Sequence, residues 1–370
     1  MANLFFRTNI TPYRIDTYNA LHEKLGCEMY FYWDVEHSQE MDMRALERLC
    51  HFTPKILKGF EIKTGKKRRK ICTEAWKIIK ENNPSFAIVP EFQILTLQVL
   101  LYKFTHRKKF KVISMCDDSY DMIVNNNDFS LIHKLARKIV TPLLDDLLLV
   151  DSRTVDWYHN YFGKGIWLPI IRDEKKEEVR YQDLLPVSNQ LRERYNLVNK
   201  KVVLFVGRLV DLKNVATLIE AFGKMKEDAV LVIVGNGKEE LNLKKQSASL
   251  QKDVIFTGHL EGNELYAWYN VGDVFCLPSY LEPYGAVTNE ALLAGCRVVI
   301  SEKAGSACLV NKNNGEIIAP MDIEAMADAL DRQLKLIRKR DGNIEYRKNL
   351  MTVKFDERIN SLKEILKGHH

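Results

Sequence analysis

Val274-Phe275-Cys276-Leu277-Pro278-Ser279-Tyr280-Leu281-Glu282-Pro283-Tyr284-Gly285-Ala286-Val287-Thr288-Asn289-Glu290-Ala291-Leu292-Leu293-Ala294-Gly295 decides the fold. Its first four residues form a short apolar strand. Residues 278–281 read as a loop, residues 286–294 have helical spacing, and Gly295 is a helix stop. Two carboxylates, Glu282 and Glu290, bracket a Pro-aromatic-Gly turn. Gly285 leaves room for close backbone approach, and the helix start presents unpaired N–H groups that attract phosphate. Glu290, one turn into the helix, can accept hydrogen bonds from two neighbouring ribose hydroxyls. Glu282 precedes the turn, facing where donor-sugar hydroxyls would lie. The competing reading makes both glutamates solvated residues that favour the positive end of a helix.

The alternation continues outward. Residues 201–206 read as a buried-type strand, 229–234 are a continuous apolar run, and 254–256 and 298–300 are shorter ones. Helical spacing falls at 215–225, 239–247 and 263–269, then at 322–340 and 355–366. Continuous apolar strands alternating with helices predict a parallel sheet covered on both faces, with ligands at the carboxyl ends of its strands. The first half repeats the pattern more loosely. Its expected strands are 4–6, 28–33, 86–89, 111–115 and 147–150, with a helix at 18–25. Residues 172–178 read as a charged loop between the halves, with the hinge near Pro169.

Gly207-Arg208 follows the strand at 201–206 directly, and Lys213 lies five residues beyond Arg208. Arginine binds phosphate through two parallel hydrogen bonds, and lysine adds a point charge. Cations are slightly unfavourable at a helix start, which is itself positive, so the mismatch favours an anion partner. The pair would stabilise charge on a departing nucleoside diphosphate. The alternative is two surface residues that begin a helix.

On these motifs the chain resembles the family-4 retaining glycosyltransferases of the GT-B fold (glycosyl transferases group 1). Residues 282–291 are similar to that family's E-P-F-G-x-V-x-x-E-A signature, with Tyr284 in place of Phe. Residues 207–213 are similar to G-R-x-x-x-x-K, residues 233–237 to I-V-G-x-G, and residues 256–260 to F-x-G-x-V. The likeness covers most of residues 200–335. It implies an α/β chain of two Rossmann-like doubly wound domains facing a central cleft. Residues 1–170 would form the acceptor-binding domain and residues 171–350 the nucleotide-sugar-binding domain. Residues 351–370 would be a helix that packs back on the first.

The resemblance also implies roles. Arg208 and Lys213 would hold the diphosphate, and Glu282 would contact the donor sugar. The backbone of Gly285, Ala286, Val287 and Thr288 would add phosphate contacts, Glu290 would bind ribose, and the backbone near His259 and Leu260 would meet the base. The implied donor is a UDP- or GDP-sugar, and the acceptor a glycan or lipid-linked glycan in surface polysaccharide synthesis. In the first half, Cys116-Asp117 stands where many relatives carry His-Asp. Asp117 reads either as a sugar contact or as a helix cap. Arg14 and Glu91 are further acceptor-side expectations. No cofactor is expected. The chain holds no Asp-x-Asp triplet, which agrees with a metal-independent enzyme relying on Arg208 and Lys213. An epimerase and a silent nucleotide-sugar-binding protein are the alternatives.

Composition bounds the rest. At 370 residues and 46% hydrophobic, the chain can build two full cores. No apolar run is long enough to span a bilayer. Its start reads as a strand rather than a signal peptide. Seven cysteines without a C-x-x-C pair favour a reducing compartment and no zinc site, so a cytoplasmic location is expected. Residues 55–80 are strongly basic, densest at Lys66-Lys67-Arg68-Arg69-Lys70. They read equally as a solvated loop and helix face or as a patch for anionic membrane headgroups. Nucleic acid is not expected, because stacking aromatics are not interleaved with the basic residues.

Overall fold

The computed structural model describes residues 2–32, 46–64, 67–125, 130–338 and 342–368, and the side chains of 63–64 and 67–69 are not described. The chain divides into two compact units. One comprises Met1–Ile171 with Phe355–His370, and the other Arg172–Lys354. No helix among the described residues is long and apolar enough to cross a membrane.

The first unit holds a seven-stranded sheet. Its strands are β1 (Asn3–Arg7), β2 (Cys27–Phe31), β3 (Lys55–Ile56), β6 (Phe86–Pro90), β7 (Lys111–Cys116), β8 (Asp146–Leu149) and β9 (Ile166–Trp167), with β4 (Gly59–Thr64) and β5 (Lys67–Cys72) forming a separate hairpin. The spatial order is β3-β2-β1-β6-β7-β8-β9, and every pairing is parallel. The terminal helix Phe355–Lys367 belongs to this unit. Lys24 pairs with Asp356 at 2.6 Å, and Lys111 Nζ donates to the Leu366 carbonyl at 3.2 Å.

The second unit repeats the design with β10 (Lys201–Val206), β11 (Ala229–Val234), β12 (Val254–Gly258), β13 (Val274–Leu277), β14 (Arg297–Ser301) and β15 (Gly315–Ile318). Their order is β12-β11-β10-β13-β14-β15, all parallel. Both sheets therefore reverse direction beside their first strand. In open α/β sheets the crevice at the carboxyl ends of the two strands flanking that reversal is where ligands bind. The flanking strands are β1 and β6 in the first unit and β10 and β13 in the second.

Two local expectations are corrected. Residues 172–178 are not a loop, since a helix spans Glu174–Asp183. Asp173 caps it by accepting from the Lys175 N–H at 3.0 Å, and Glu177 is buried against Arg180 at 2.7 Å. The charge run hid these interactions because its charges pair within the helix. Residues 59–64 and 67–72 pair as antiparallel strands rather than forming a solvated loop and helix face. Gln98 fixes it to its neighbour helix: its amide donates to the Cys72 carbonyl at 2.8 Å, and its oxygen accepts from the Cys72 N–H at 3.2 Å. The helix expected over 322–340 is Ile323–Lys335. Residues 339–340, Trp33 of the expected second strand and Lys66 of the basic run lie outside the described residues.

Candidate active site

At the reversal in the second unit, β10 is followed by Gly207 and β13 by Pro278. The chain leaving β10 makes a short turn over Asp211–Lys213 and enters the helix Val215–Lys224 through Asn214, whose backbone is left-handed (φ 56°). Asn214 is buried and donates to the carbonyls of Pro278 (3.0 Å) and Pro320 (2.7 Å). Tyr280 N–H donates to the Leu212 carbonyl at 2.9 Å. These bonds tie the Lys213 turn to the loop after β13, and Lys213 Nζ makes an ion pair with Glu282. Both side chains of the pair keep some solvent contact, 18% and 11%. Arg208 is exposed, and its guanidinium has no partner among the described residues. One exposed cation thus stands near a lysine–glutamate pair at the mouth of the sheet.

The Glu282 backbone is fixed on both sides. Its N–H donates to the Lys303 carbonyl at 3.2 Å, and its carbonyl accepts from Gly305 at 3.1 Å. Gly285 has φ 88°, and a Cβ there would lie 2.7 Å from Leu277 Cδ2. Only glycine fits this turn without strain. The N–H groups of Gly285, Ala286 and Val287 find no acceptor among the described residues. Tyr284 is buried, and the Thr288 hydroxyl is bonded to Ser306 at 2.9 Å. His259 is exposed and pairs with Glu261 at 2.9 Å, while Leu260 is half-buried after β12.

Glu290 is buried on the helix Val287–Leu293 and already accepts several bonds. Arg172 donates to Oε1 at 3.1 Å and the Tyr266 hydroxyl at 3.4 Å, while the Tyr269 hydroxyl donates to Oε2 at 2.9 Å. A carboxylate offers about four acceptor positions, so roughly one remains for a ligand hydroxyl. Arg172 also donates to the Tyr266 hydroxyl at 2.6 Å and to Glu177 at 3.5 Å. Burial opposes the Arg172 charge, but Glu290, Tyr266 and Glu177 outweigh it and hold its pKa above the ordinary arginine range. Burial and then Glu290 push both tyrosines well above the usual phenol range.

The first unit gathers a second charged cluster after β1, β6 and β7. Arg7 and Arg14, both buried, make ion pairs with Asp117. Arg7 also donates to the Met115 carbonyl at 2.8 Å. Burial raises the Asp117 pKa, yet the two arginines prevail and leave it below the ordinary aspartate range. Glu91 follows β6 with a left-handed backbone (φ 40°). Its carbonyl accepts from the hydroxyls of Ser114 (2.9 Å) and Thr96 (3.0 Å). Burial, then Asp118 and Asp117, push its carboxyl up to about 7. Asp118 itself is held by Arg137 at 2.9 Å, with His133 at 3.7 Å.

Residues 187–350 match the family model of glycosyl transferases group 1. This part of the chain belongs to that family. Among curated relatives, an uncharacterized glycosyltransferase of Methanocaldococcus jannaschii is 35% identical over 141 residues, 37% of this chain and 36% of that protein. The N-acetylgalactosamine-N,N'-diacetylbacillosaminyl-diphospho-undecaprenol 4-alpha-N-acetylgalactosaminyltransferase of Campylobacter jejuni is 29% identical over 232 residues, 61% of this chain and 60% of that one. The matches thus span about a third to three fifths of these relatives' lengths. The crystal structure of Anabaena HepE in complex with UDP and glucose superposes with a TM-score of 0.72 at 14% identity, covering 100% of both chains. The fold is GT-B.

Within this group 1 region the structure brings Lys213 and Glu282 together and leaves Arg208 exposed, as an anion site at the reversal would need. It does not leave Glu290 or the Thr288 hydroxyl free. Asp117 is corrected: it is not a helix cap, because both its oxygens are held by arginines, Arg7 at the end of β1 and Arg14 beyond it. Arg14, expected on the acceptor side, is fully enclosed and bonded to Asp117. Sequence reasoning missed Arg172, Tyr266, Tyr269, Asn214 and Arg7. Tyr266 and Tyr269, three residues apart on the helix Gly262–Val271 and so on one face, were the available signal. The rest sit far along the chain from the groups they hold.

Proposed function

We propose that this protein is a retaining, metal-independent glycosyltransferase that moves a sugar from a UDP- or GDP-sugar to a hydroxyl of a glycan or lipid-linked glycan. The observation that carries the reading is the trio at the reversal of the second sheet: exposed Arg208, and Lys213 paired with Glu282. Arg208 and Lys213 bind the donor diphosphate and stabilise the charge that builds on it as the glycosidic bond breaks. When the diphosphate draws Lys213, Glu282 is released to the donor-sugar hydroxyls. The backbone N–H groups of residues 285–287 supply further phosphate contacts, while that of Thr288 is held by the Gly285 carbonyl at 3.0 Å. Glu290 receives a ribose hydroxyl at its remaining acceptor position, and the backbone near His259 and Leu260 meets the base. The protein provides no nucleophile; the departing phosphate takes the acceptor proton as the hydroxyl attacks from the same face. Arg14, Glu91 and Asp117 serve the acceptor side, where the first two act through the shape and charge of the cluster. The relative from Campylobacter carries an undecaprenol-linked substrate in its name, which supports a lipid-linked acceptor. The work is placed in the cytoplasm.

The test is thermal stabilisation by UDP, GDP and ADP. A ligand that binds only the folded state raises its stability with the logarithm of occupancy. One diphosphate should raise the melting temperature of the wild type, and the shift should vanish in Arg208→Ala and shrink in Glu290→Ala. Donor and acceptor panels analysed for anomeric configuration then test transfer with retention. Equal shifts in wild type and both variants would remove the assigned site.

A further inference from the structure

The first unit holds a cavity of about 450 Å³ at the amino ends of its strands. Asn3 opens β1, Ser85 and Phe86 stand at the start of β6, and Lys111 opens β7. The sheet is parallel, so the cavity lies at the end opposite Glu91 and Asp117, which follow the carboxyl ends of β6 and β7. Its walls are fixed. The Asn3 side chain donates to the Leu25 carbonyl at 2.8 Å and accepts from the N–H groups of Ser85 at 3.2 Å and Phe86 at 3.3 Å. The last turn of the terminal helix closes the other side, pinned where Lys111 Nζ donates to the Leu366 carbonyl at 3.2 Å. Phe86, Phe110 and Leu366 are buried and give the cavity an apolar floor.

The rim has one sign of charge. Five lysines line the cavity, Lys108, Lys109, Lys111, Lys363 and Lys367, and no acid does among the described residues. Lys111 is used by the Leu366 carbonyl, but the other four ammonium groups have no partner among the described residues. The N–H groups of Lys109 and Phe110 find no acceptor among them either. Neighbouring acids are taken: Glu81 pairs with Lys77 at 3.8 Å and Asp356 with Lys24 at 2.6 Å. Glu364 shares the helix of Lys363 but does not line the cavity. The negative end of that helix amounts to about half a charge, which favours one lysine and leaves most of the cluster uncompensated. A cleft of one sign with apolar walls focuses its field and concentrates counter-ions.

The residue type selects the ligand. Planar, bidentate recognition of a carboxylate calls for arginine, and no arginine lines the cavity. Lysines are compact point charges, and several around one small space suit a compact anion of high charge. We propose that this cavity binds a soluble oligophosphate, held by Lys108, Lys109, Lys363 and Lys367 and by the N–H groups of Lys109 and Phe110. The bound anion joins the approach to β7 with the last turn of the terminal helix, and so secures that helix to the sheet. The site belongs to the first unit, and its reading does not depend on the donor-site reading.

The experiment is calorimetric titration of the full chain with sodium triphosphate, free of divalent metal. It is made in Arg208→Ala as the parent, so that the donor diphosphate site does not contribute. The parent should bind, more weakly as salt rises. Adding Lys109→Gln with Lys363→Gln should weaken binding roughly tenfold for each lysine. Adding Lys134→Gln with Lys138→Gln instead removes the same charge from a helix that does not line the cavity, and should change binding less than about twofold. Orthophosphate should bind the parent at least about tenfold more weakly than triphosphate. Triphosphate should also raise the melting temperature of the parent, and this shift should shrink in the cavity variant. Without ligand, the melting temperatures of parent and cavity variant should agree, since Lys109 and Lys363 have no partner among the described residues. No binding by the parent at low salt overturns the proposal, as does an equal loss in the two lysine pairs. Equal affinity for orthophosphate and triphosphate overturns the assignment to an oligophosphate.

Discussion

Replacing Glu91 by Gln should stabilise the first unit, and only above a certain pH. The Glu91 carboxyl lies among Asp118, Asp117, Arg7 and His133, and burial with the two aspartates pushes it from 4.5 up to about 7. An acid whose folded-state pKa is raised binds more protons folded than unfolded between those two values, so stability falls as pH rises through that window. Below about 4.5 the effect is absent, and above about 7 it is complete. Each unit is worth about 1.4 kcal/mol, so the full shift would correspond to about 3 kcal/mol. Glu91 retains some solvent contact, and screening reduces this to about 1–2 kcal/mol. Glutamine keeps the shape and the left-handed backbone but cannot ionise, so it escapes the penalty. Urea unfolding of wild type and variant at pH 5, 6, 7 and 8 isolates the effect, because contributions from Asp117 and Asp118 largely cancel in the difference. The variant should gain about a quarter as much at pH 5 as at pH 8, where the gain reaches about 1–2 kcal/mol. A difference that stays constant across this range would show that Glu91 is not held protonated by its neighbours, and the electrostatic reading of this cluster would fall.

Other outcomes follow from the second unit. Arg208→Ala should leave stability within about 0.5 kcal/mol, since the exposed guanidinium has no partner among the described residues, while turnover falls about a hundredfold or more; unchanged turnover on an active donor–acceptor pair would exclude it from the site. Glu290→Ala should cost roughly 2–3 kcal/mol by leaving the Arg172 charge and two tyrosine hydroxyls short of an acceptor. That cost should be halved or better when Arg172→Met is added, and calorimetry of the double-mutant cycle measures the coupling. Gly285→Ala should destabilise by about 1–3 kcal/mol, because alanine must hold φ 88° and crowd Leu277; a neutral effect in denaturant melts would mean that the turn relaxes.

The sequence determined what depends on near neighbours. Uninterrupted apolar runs such as 202–206 and 229–234 must be covered on both faces, which forces a parallel sheet with helices on each side. The residues that end those strands are fixed by the same local pattern, so Gly207-Arg208 and the 282–290 turn could be picked out from the sequence as a candidate site. The terminal helix was legible from its spacing. Where charges dominate, the local pattern misled: the helix Glu174–Asp183 is stabilised by its cap and its own ion pairs, and the strand pair 59–64 with 67–72 by Gln98 from another element. Tertiary structure alone decided the partners. Lys213 meets Glu282 across 69 residues, Asp117 meets Arg7 across 110, and Arg172 meets Glu290 across 118. Those pairings follow from strand order, which sets which strand ends lie side by side. The free energy of a buried carboxylate depends on the cation that order brings to it, and periodicity along the chain carries no record of that distance.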